Sequence, residues 1–304
     1  MINAHLNFFK FLSRVRFKKT IAVFNTVWYN KYMQYLKDSL KYIYVNGTGK
    51  RFSCLFFISL FPAIALAFAF PIDRLILNIY FPPQYSDWAS VWLSYFNGIK
   101  SFISLLIGIV ASTISTTVIC GALIRHFRIG NFSTGKIIRS FNDYFFAAIL
   151  YTLTLSALFA FSLTVYTVFQ YMWYTTLNPI AYKVVSTITL LIILLGLCFL
   201  LGSITLWLPS MCIKGIYKKS MGQAFYQSRT KQKKFFPGIL FVAIVLLVTT
   251  IISVLSTKVW YVSLIINAIG YAIAFSFFIV HMMITYFGEN KLPREDLYSN
   301  PYNK

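Results

Sequence analysis

Acidic residues are the scarcest chemistry in this chain: Asp and Glu number 7 in 304 residues, against 28 Lys and Arg. All of them, Asp38, Asp73, Asp87, Asp143, Glu289, Glu295 and Asp296, fall outside the long apolar runs. A proton-driven transporter usually relies on a buried carboxylate or histidine relay. An intramembrane aspartyl protease needs two buried aspartates, so the chain lacks the parts of either. Histidine is equally sparse. His5, His126 and His281 lie in separate segments with no HExxH pair, whereas a metal site needs three or four converging ligands. The 4 cysteines, Cys54, Cys120, Cys198 and Cys212, form no CxxC. All are expected in or near the cytoplasmic half of a membrane, where disulfides are disfavoured. Neither GxxxxGK[ST] nor GxSxG occurs, so no ATPase or serine hydrolase is expected. No enzyme, cofactor or metal site is expected at all.

Charge of either sign is scarce too, at 12% of residues against about 25% in soluble domains. A soluble protein so poor in charge could not cover its surface. Apolar residues make up 58%, and the net charge of +21 sits in blocks between apolar runs. No recognisable nucleic-acid module accompanies that charge, so a nucleic-acid partner is not expected.

Six stretches reach the roughly 20 helical residues that cross a hydrocarbon core of about 30 Å. They are about 52–70, 101–124, 144–170, 184–208, 236–255 and 263–287, and no Asp, Glu, Lys or Arg falls inside them. A charge at mid-bilayer costs roughly 2.5–3.5 kcal/mol or more, which explains the avoidance. Runs such as LLIILLGLCFLL (190–201) do not alternate apolar and polar as barrel strands do, so the expected fold class is an all-α integral membrane protein. Its parts are a basic, amphipathic N-terminal segment (1–51), a six-span domain (52–287) and a tail (288–304).

Basic residues set the orientation. The segments at 1–51, 125–143, 209–235 and 288–304 carry 24 of them, and the alternate segments carry 4. The positive-inside rule places the first set, with both termini, on the cytoplasmic side of the cell membrane. Trp88, Trp92, Tyr95, Tyr171, Trp173, Tyr174, Trp260 and Tyr261 are expected at the outer headgroup level. One short surface helix is expected around 86–97 in the outer loop. No cleaved signal peptide is expected, because the first long apolar run starts at Phe52. The basic segment 1–19 has some likeness to an organellar transit peptide but is not Ser-rich. The sequons NGT (46–48) and NFS (131–133) lie on the expected cytoplasmic side and should go unused.

Before each odd-numbered span lies a similar segment: 38–52, 133–146 and 220–236. Each has within its first two residues a Ser that can cap a helix, continues with apolar residues at helical spacing, and ends in aromatic residues. The unit of interfacial helix, span, outer loop and span would then occur three times, giving three hairpins. The alternative is that any cytoplasmic loop feeding a span becomes basic and amphipathic.

The segment LPSMCIKGIYKKSMGQAFYQSRTKQKKFF (208–236) carries Pro209 at a span end. Ser220, Ala224 and Ser228 follow at four-residue spacing, with basic residues before the next span. CGALIRHFRIGNFSTGKIIRSF (120–141) shows small residues, an Arg cluster, Gly and a Ser-capped helix. Together they resemble a loose superfamily of bacterial six-span proteins that includes the membrane domain of some glycerophosphodiester phosphodiesterases. The resemblance covers about 35–287 and implies a six-span fold and no known activity. FFISLFPAIALAF (56–68) is also similar to the first span of the YihY/BrkB-type family.

Two sets of residues are candidates for function. Lys214, Lys218, Lys219, Arg229, Lys231, Lys233 and Lys234 could contact anionic lipid of the inner leaflet, at about 1 kcal/mol per basic residue held near the surface. The alternative is purely topogenic charge. Ser112, Thr113 and Thr116 in ASTISTTVICGA, with Ser203 and His281, form either a packing face or a polar path. Pro62 predicts a kink in span 1, and Pro237 is tolerated near the start of span 5. The function expected is that of a membrane scaffold, membrane-protein partner or envelope-homeostasis factor, with a permease for a small solute or amphiphile as the alternative.

Overall fold

The computed structural model describes residues 33–45, 50–96, 98–130, 132, 137–214, 217–257 and 259–297. Helix accounts for nearly all of it, and no strand occurs among the described residues. Six helices are long and apolar enough to cross a membrane. They run Lys50–Ala69, Ile99–Ile129, Ile137–Thr176, Pro179–Ile204, Gln232–Leu255 and Trp260–Glu289, and are called spans 1 to 6 below. Each contains the core of an expected span and extends past most of the expected limits. Hydropathy marks the part that suits lipid, whereas hydrogen bonding carries the helix on until a breaker stops it.

Span 3 shows this most clearly. It has 40 residues with no Gly or Pro between Ile137 and Thr176, about 60 Å at 1.5 Å per residue. The expected interfacial helix before it is, from Ile137 on, the start of the span itself. Span 2 ends instead where Gly130 adopts the left-handed conformation (φ 74°) and returns its N–H to the His126 carbonyl, a glycine stop.

The spans close a ring. Span 1 packs on spans 2 and 6, and each later span packs on the next. Spans 1/2, 3/4 and 5/6 are neighbours, but so are 2/3, 4/5 and 6/1, so adjacency does not single out three hairpins. Span 6 is the pillar of the bundle: from Ile279 to Phe287 every residue is buried. Span 4 is the opposite case and turns most of its apolar surface outward.

Glycines set the closest approaches. A Cβ on Gly238 of span 5 would fall within the His281 ring of span 6, and one on Gly270 of span 6 would strike Thr249 of span 5. A Cβ on Gly108 would come 2.8 Å from Leu66. In lipid, close packing of this kind replaces much of the hydrophobic drive available in water.

Short helices finish both ends. Between spans 1 and 2 lie Arg74–Tyr80 and Trp88–Ser94, two where the sequence predicts one. The second starts on a capping box: Ser90 N–H donates to the Asp87 carboxylate at 2.7 Å, and Asp87 N–H donates to Ser90 Oγ, sealing two orphan donors. Its last carbonyls are capped by Arg74, whose Nη1 donates to Ser94 O (2.9 Å) and Phe96 O (2.6 Å).

At the end where the first and last described residues lie, called the terminal end below, helices Trp207–Lys214 and Tyr217–Thr230 follow span 4. The chain breaks between Ile204 and Trp207, and the Leu206 N–H is met by Ser228 Oγ at 3.3 Å. Pro209 sits in the first turn after the break, where its missing N–H costs nothing. Pro62 and Pro237 both lie inside their helices.

The glycine contacts give a first test. Gly238→Ala should lower stability by about 1–3 kcal/mol, the usual cost of overpacking. Gly196→Ala, where a Cβ meets nothing within 4 Å, should leave it unchanged or slightly higher. Thermal unfolding of the purified chain in detergent reads both.

Candidate functional site

Polar groups gather at the two ends of the bundle. At the terminal end, residues 33–45 form a helix whose last turn, Lys41–Val45, is widened to a π-helix. Leu36, Ser39, Tyr42 and Ile43 recur at helical spacing and are all buried. This part of the amphipathic N-terminal segment is therefore turned onto the bundle. Residues 1–32 of that segment, His5 among them, lie outside the described residues, as do both sequon asparagines.

Three side chains fasten this helix. Tyr35 donates its hydroxyl to Glu289 Oε1 at 2.7 Å. Ser39 Oγ lies 3.1 Å from His281 Nδ1 and 2.6 Å from the Tyr35 carbonyl. Tyr42 Oη lies 2.8 Å from His126 Nδ1. Burial, and then the hydrogen bond and charge of Glu289, push the Tyr35 phenol well above its ordinary range, so it stays a donor. Burial does the same for Tyr42, which stays protonated beside His126 Nδ1. His281 stands between Ser39 Oγ, whose proton goes to the Tyr35 carbonyl, and the Phe235 carbonyl, which lies 3.4 Å from its Nε2.

Glu289 is the hub of this end. Its side chain is 4% exposed and is paired with Lys231 and, at 2.8 Å, with Lys234. Those lysines come from the junction between helix Tyr217–Thr230 and span 5, and Tyr35 comes from the first described helix. One carboxylate thus ties three segments together. Arg294 in the tail pairs with Asp296 at 2.7 Å and lies over the Phe127 ring at 4.6 Å.

This rearranges the predicted lipid-contact set. Lys231 and Lys234 are half-buried and engaged with Glu289, while Lys233 and Arg229 are exposed. Phe225 and Tyr226 are exposed beside Arg229 on the same helix, whereas Ala224 and Ser228 face inward. The side chains of Lys214, Lys218 and Lys219 lie outside the described residues. The charge pattern in the sequence could not separate paired from free lysines, because the partner is 55 residues away along the chain.

The span 2 hydroxyls and Ser203 are all buried. Thr113 donates to the Ile109 carbonyl at 3.0 Å, Thr117 to Thr113 at 2.8 Å and Ser203 to Phe199 at 3.3 Å. Ser115, outside the predicted set, donates across to the Ile58 carbonyl of span 1 at 2.9 Å. Ser112 and Thr116 are buried on the same helix.

The opposite end holds a second network. Gln170 is fully buried and accepts from the Tyr95 hydroxyl at 2.5 Å. Its amide donates to Tyr182 Oη at 2.9 Å, and Tyr182 donates to the Asn78 carbonyl at 3.1 Å. Tyr95 is therefore buried within the protein, between the short helix that ends at Ser94 and span 3. Trp88, Trp260 and Tyr261 are exposed.

A cleft of about 430 Å³ opens at this end between the start of the 71–98 loop and the turn joining spans 5 and 6. Asp73 and Asn267 lie in it, and Asn267 Nδ2 donates to Asp73 Oδ1 at 3.1 Å. Neither residue was singled out by sequence reasoning. Asn267 is the one amide in span 6, a signal that an isolated carboxamide within an apolar run could have given.

Among the described residues no group of three His, Cys, Asp or Glu could hold a metal, and the four cysteines are free. The helices and their apolar surfaces are those of a multi-pass membrane protein. The chain matches no family model, no curated protein and no solved structure.

The Glu289 hub gives the next two tests. The double variant Lys231→Gln/Lys234→Gln leaves the carboxylate buried beside Tyr35 alone. It should cost up to about 3–5 kcal/mol, more than either single change, as expected when a buried charge loses its partners. Thermal unfolding measures this. Arg229→Gln/Lys233→Gln should leave the unfolding temperature unchanged while weakening binding to vesicles containing phosphatidylglycerol at low salt, read by vesicle flotation.

Proposed function

We propose that this chain is a non-enzymatic scaffold of the cytoplasmic membrane, with both termini inside. It would hold a lipid or a membrane-protein partner rather than pass a solute. The observation that carries the reading is the closure of the terminal end: helix 33–45 lies across it, fixed at Tyr35, Ser39 and Tyr42 to spans 2 and 6. The span 2 hydroxyls add support, since Thr113 and Thr117 are satisfied within their own helix and Ser115 by span 1.

The orientation rests on the 24-to-4 division of basic residues, which puts the Glu289 hub on the cytoplasmic side. The exposed Phe225, Tyr226, Arg229 and Lys233 would then meet the inner leaflet, rings in the headgroup layer and cations on anionic lipid. The resemblance of 120–141 and 208–236 to the bacterial six-span superfamily supports a six-span membrane domain and brings no known activity with it.

A permease remains the second reading, favoured by the cleft at Asp73 and Asn267, which would be the outer mouth of a path closed from within. Flux decides between them. Proteoliposomes of the full chain, loaded with a pH-sensitive dye or with radiolabelled glycerol, should exchange their contents no faster than protein-free liposomes. Saturable exit that depends on the protein would replace the scaffold reading with transport.

A further inference from the structure

The cleft at the end opposite the termini has the wrong balance of hydrogen-bonding groups to stand alone. Asn267 is fully buried, and its Oδ1 has no partner. Its orientation is fixed by chemistry: turned over, the amide would set its oxygen against the Asp73 carboxylate and lose the 3.1 Å bond that Nδ2 donates. Asp73 is itself buried and immediately precedes the short helix Arg74–Tyr80, yet its side chain makes no capping bond to that helix. Its carboxylate faces Asn267 instead. Leaving a buried carboxylate on one amide donor, beside an unmet carbonyl oxygen, is costly.

The nearest donors are already engaged. Arg74 also lines the cleft and its charge acts on Asp73, but its Nη1 is committed to the carbonyls of Ser94 and Phe96. Ser263 bonds Ser253 at 2.7 Å, and Thr257 donates to the Val254 carbonyl at 2.9 Å. The floor of the cleft therefore offers acceptors, one of them charged, and asks for a cation that carries N–H groups. Its walls are apolar: Phe68, Leu77 and Leu264 line it, with the exposed indole of Trp260 at the mouth. A calcium ion takes six to eight oxygen ligands, which one carboxylate and one amide oxygen on apolar walls do not supply. An ammonium needs only a few acceptors and gains from an aromatic face.

We propose that this cleft binds a primary ammonium group attached to an apolar body, with Asp73 as counter-ion, Asn267 Oδ1 as second acceptor and Trp260 over the entering cation. Two sources share that chemistry: the ethanolamine headgroup of a lipid in the adjacent leaflet, and a free amine from solution. Binding here goes beyond the scaffold reading and survives its failure, because retention of a ligand and flux of a solute are separate measurements.

The test uses the full chain in nanodiscs of phosphatidylglycerol mixed with equal amounts of phosphatidylethanolamine and phosphatidylcholine. After transfer to detergent, the lipids that stay bound are counted by native mass spectrometry. Phosphatidylethanolamine should be retained at least about fivefold over phosphatidylcholine, whose quaternary nitrogen has no N–H to donate. Asp73→Asn and Asn267→Leu should bring that ratio towards one. Trp260→Ala, at an exposed position, keeps the test decisive if either buried variant fails to fold, and should lower the ratio part of the way. Displacement of the retained lipid by millimolar ethanolamine supports the ammonium site with a free amine as occupant. Resistance to it supports the site with lipid as occupant. Equal retention of the two lipids by the unaltered chain, or an unchanged ratio in folded Asp73→Asn, overturns the proposal and leaves the cleft to water.

Discussion

A hydrocarbon medium offers no hydrogen bonds, so every polar group within the bundle must find its partner in the protein. The rest of the structure follows from this. Backbone groups are satisfied by helix, many threonine and serine hydroxyls return to carbonyls one turn back or across to a neighbour, with Ser59, Ser101 and Ser186 as exceptions, and ionisable groups collect in the end layers. Where a helix stops inside the structure, a side chain supplies what the backbone lost: Ser228 meets the break after span 4, and Arg74 closes the helix Trp88–Ser94.

The two ends meet that constraint differently. The terminal end is over-determined. Glu289 has three partners from two separate segments, and the helix 33–45 is held by hydroxyl contacts to Glu289, His281 and His126. Such a layer couples the N-terminal segment, the span 4–5 connection and the last turn of span 6 into one unit. The opposite end combines a satisfied network around Gln170 with an unsatisfied acceptor at Asn267.

Glycine and ring packing explain why span 6 is the pillar. Gly238 and Gly270 let spans 5 and 6 approach so closely that His281 and Thr249 occupy the space of a missing Cβ. His281 is fully buried there and is hydrogen-bonded with Ser39. The absence of a Cβ at Gly238 thus places a polar side chain where only a protein partner can serve it.

The sequence by itself determined the class of fold, the number of long helices and their cores, because burial in lipid is a property of local composition: twenty apolar residues without a charge have few alternatives. It also located Ser228, Lys231 and Lys233 as residues worth following. It could not say that Lys231 is paired and Lys233 exposed, that Tyr95 is interior, that residues 137–143 continue span 3, or that Asp73 and Asn267 meet. Each of those depends on which helices become neighbours. Asp73 and Asn267 are 194 positions apart, and nothing in the composition near either one specifies the other. Only the closing of span 6 against span 1 brings them to one cleft, and that contact is decided by packing across the whole ring.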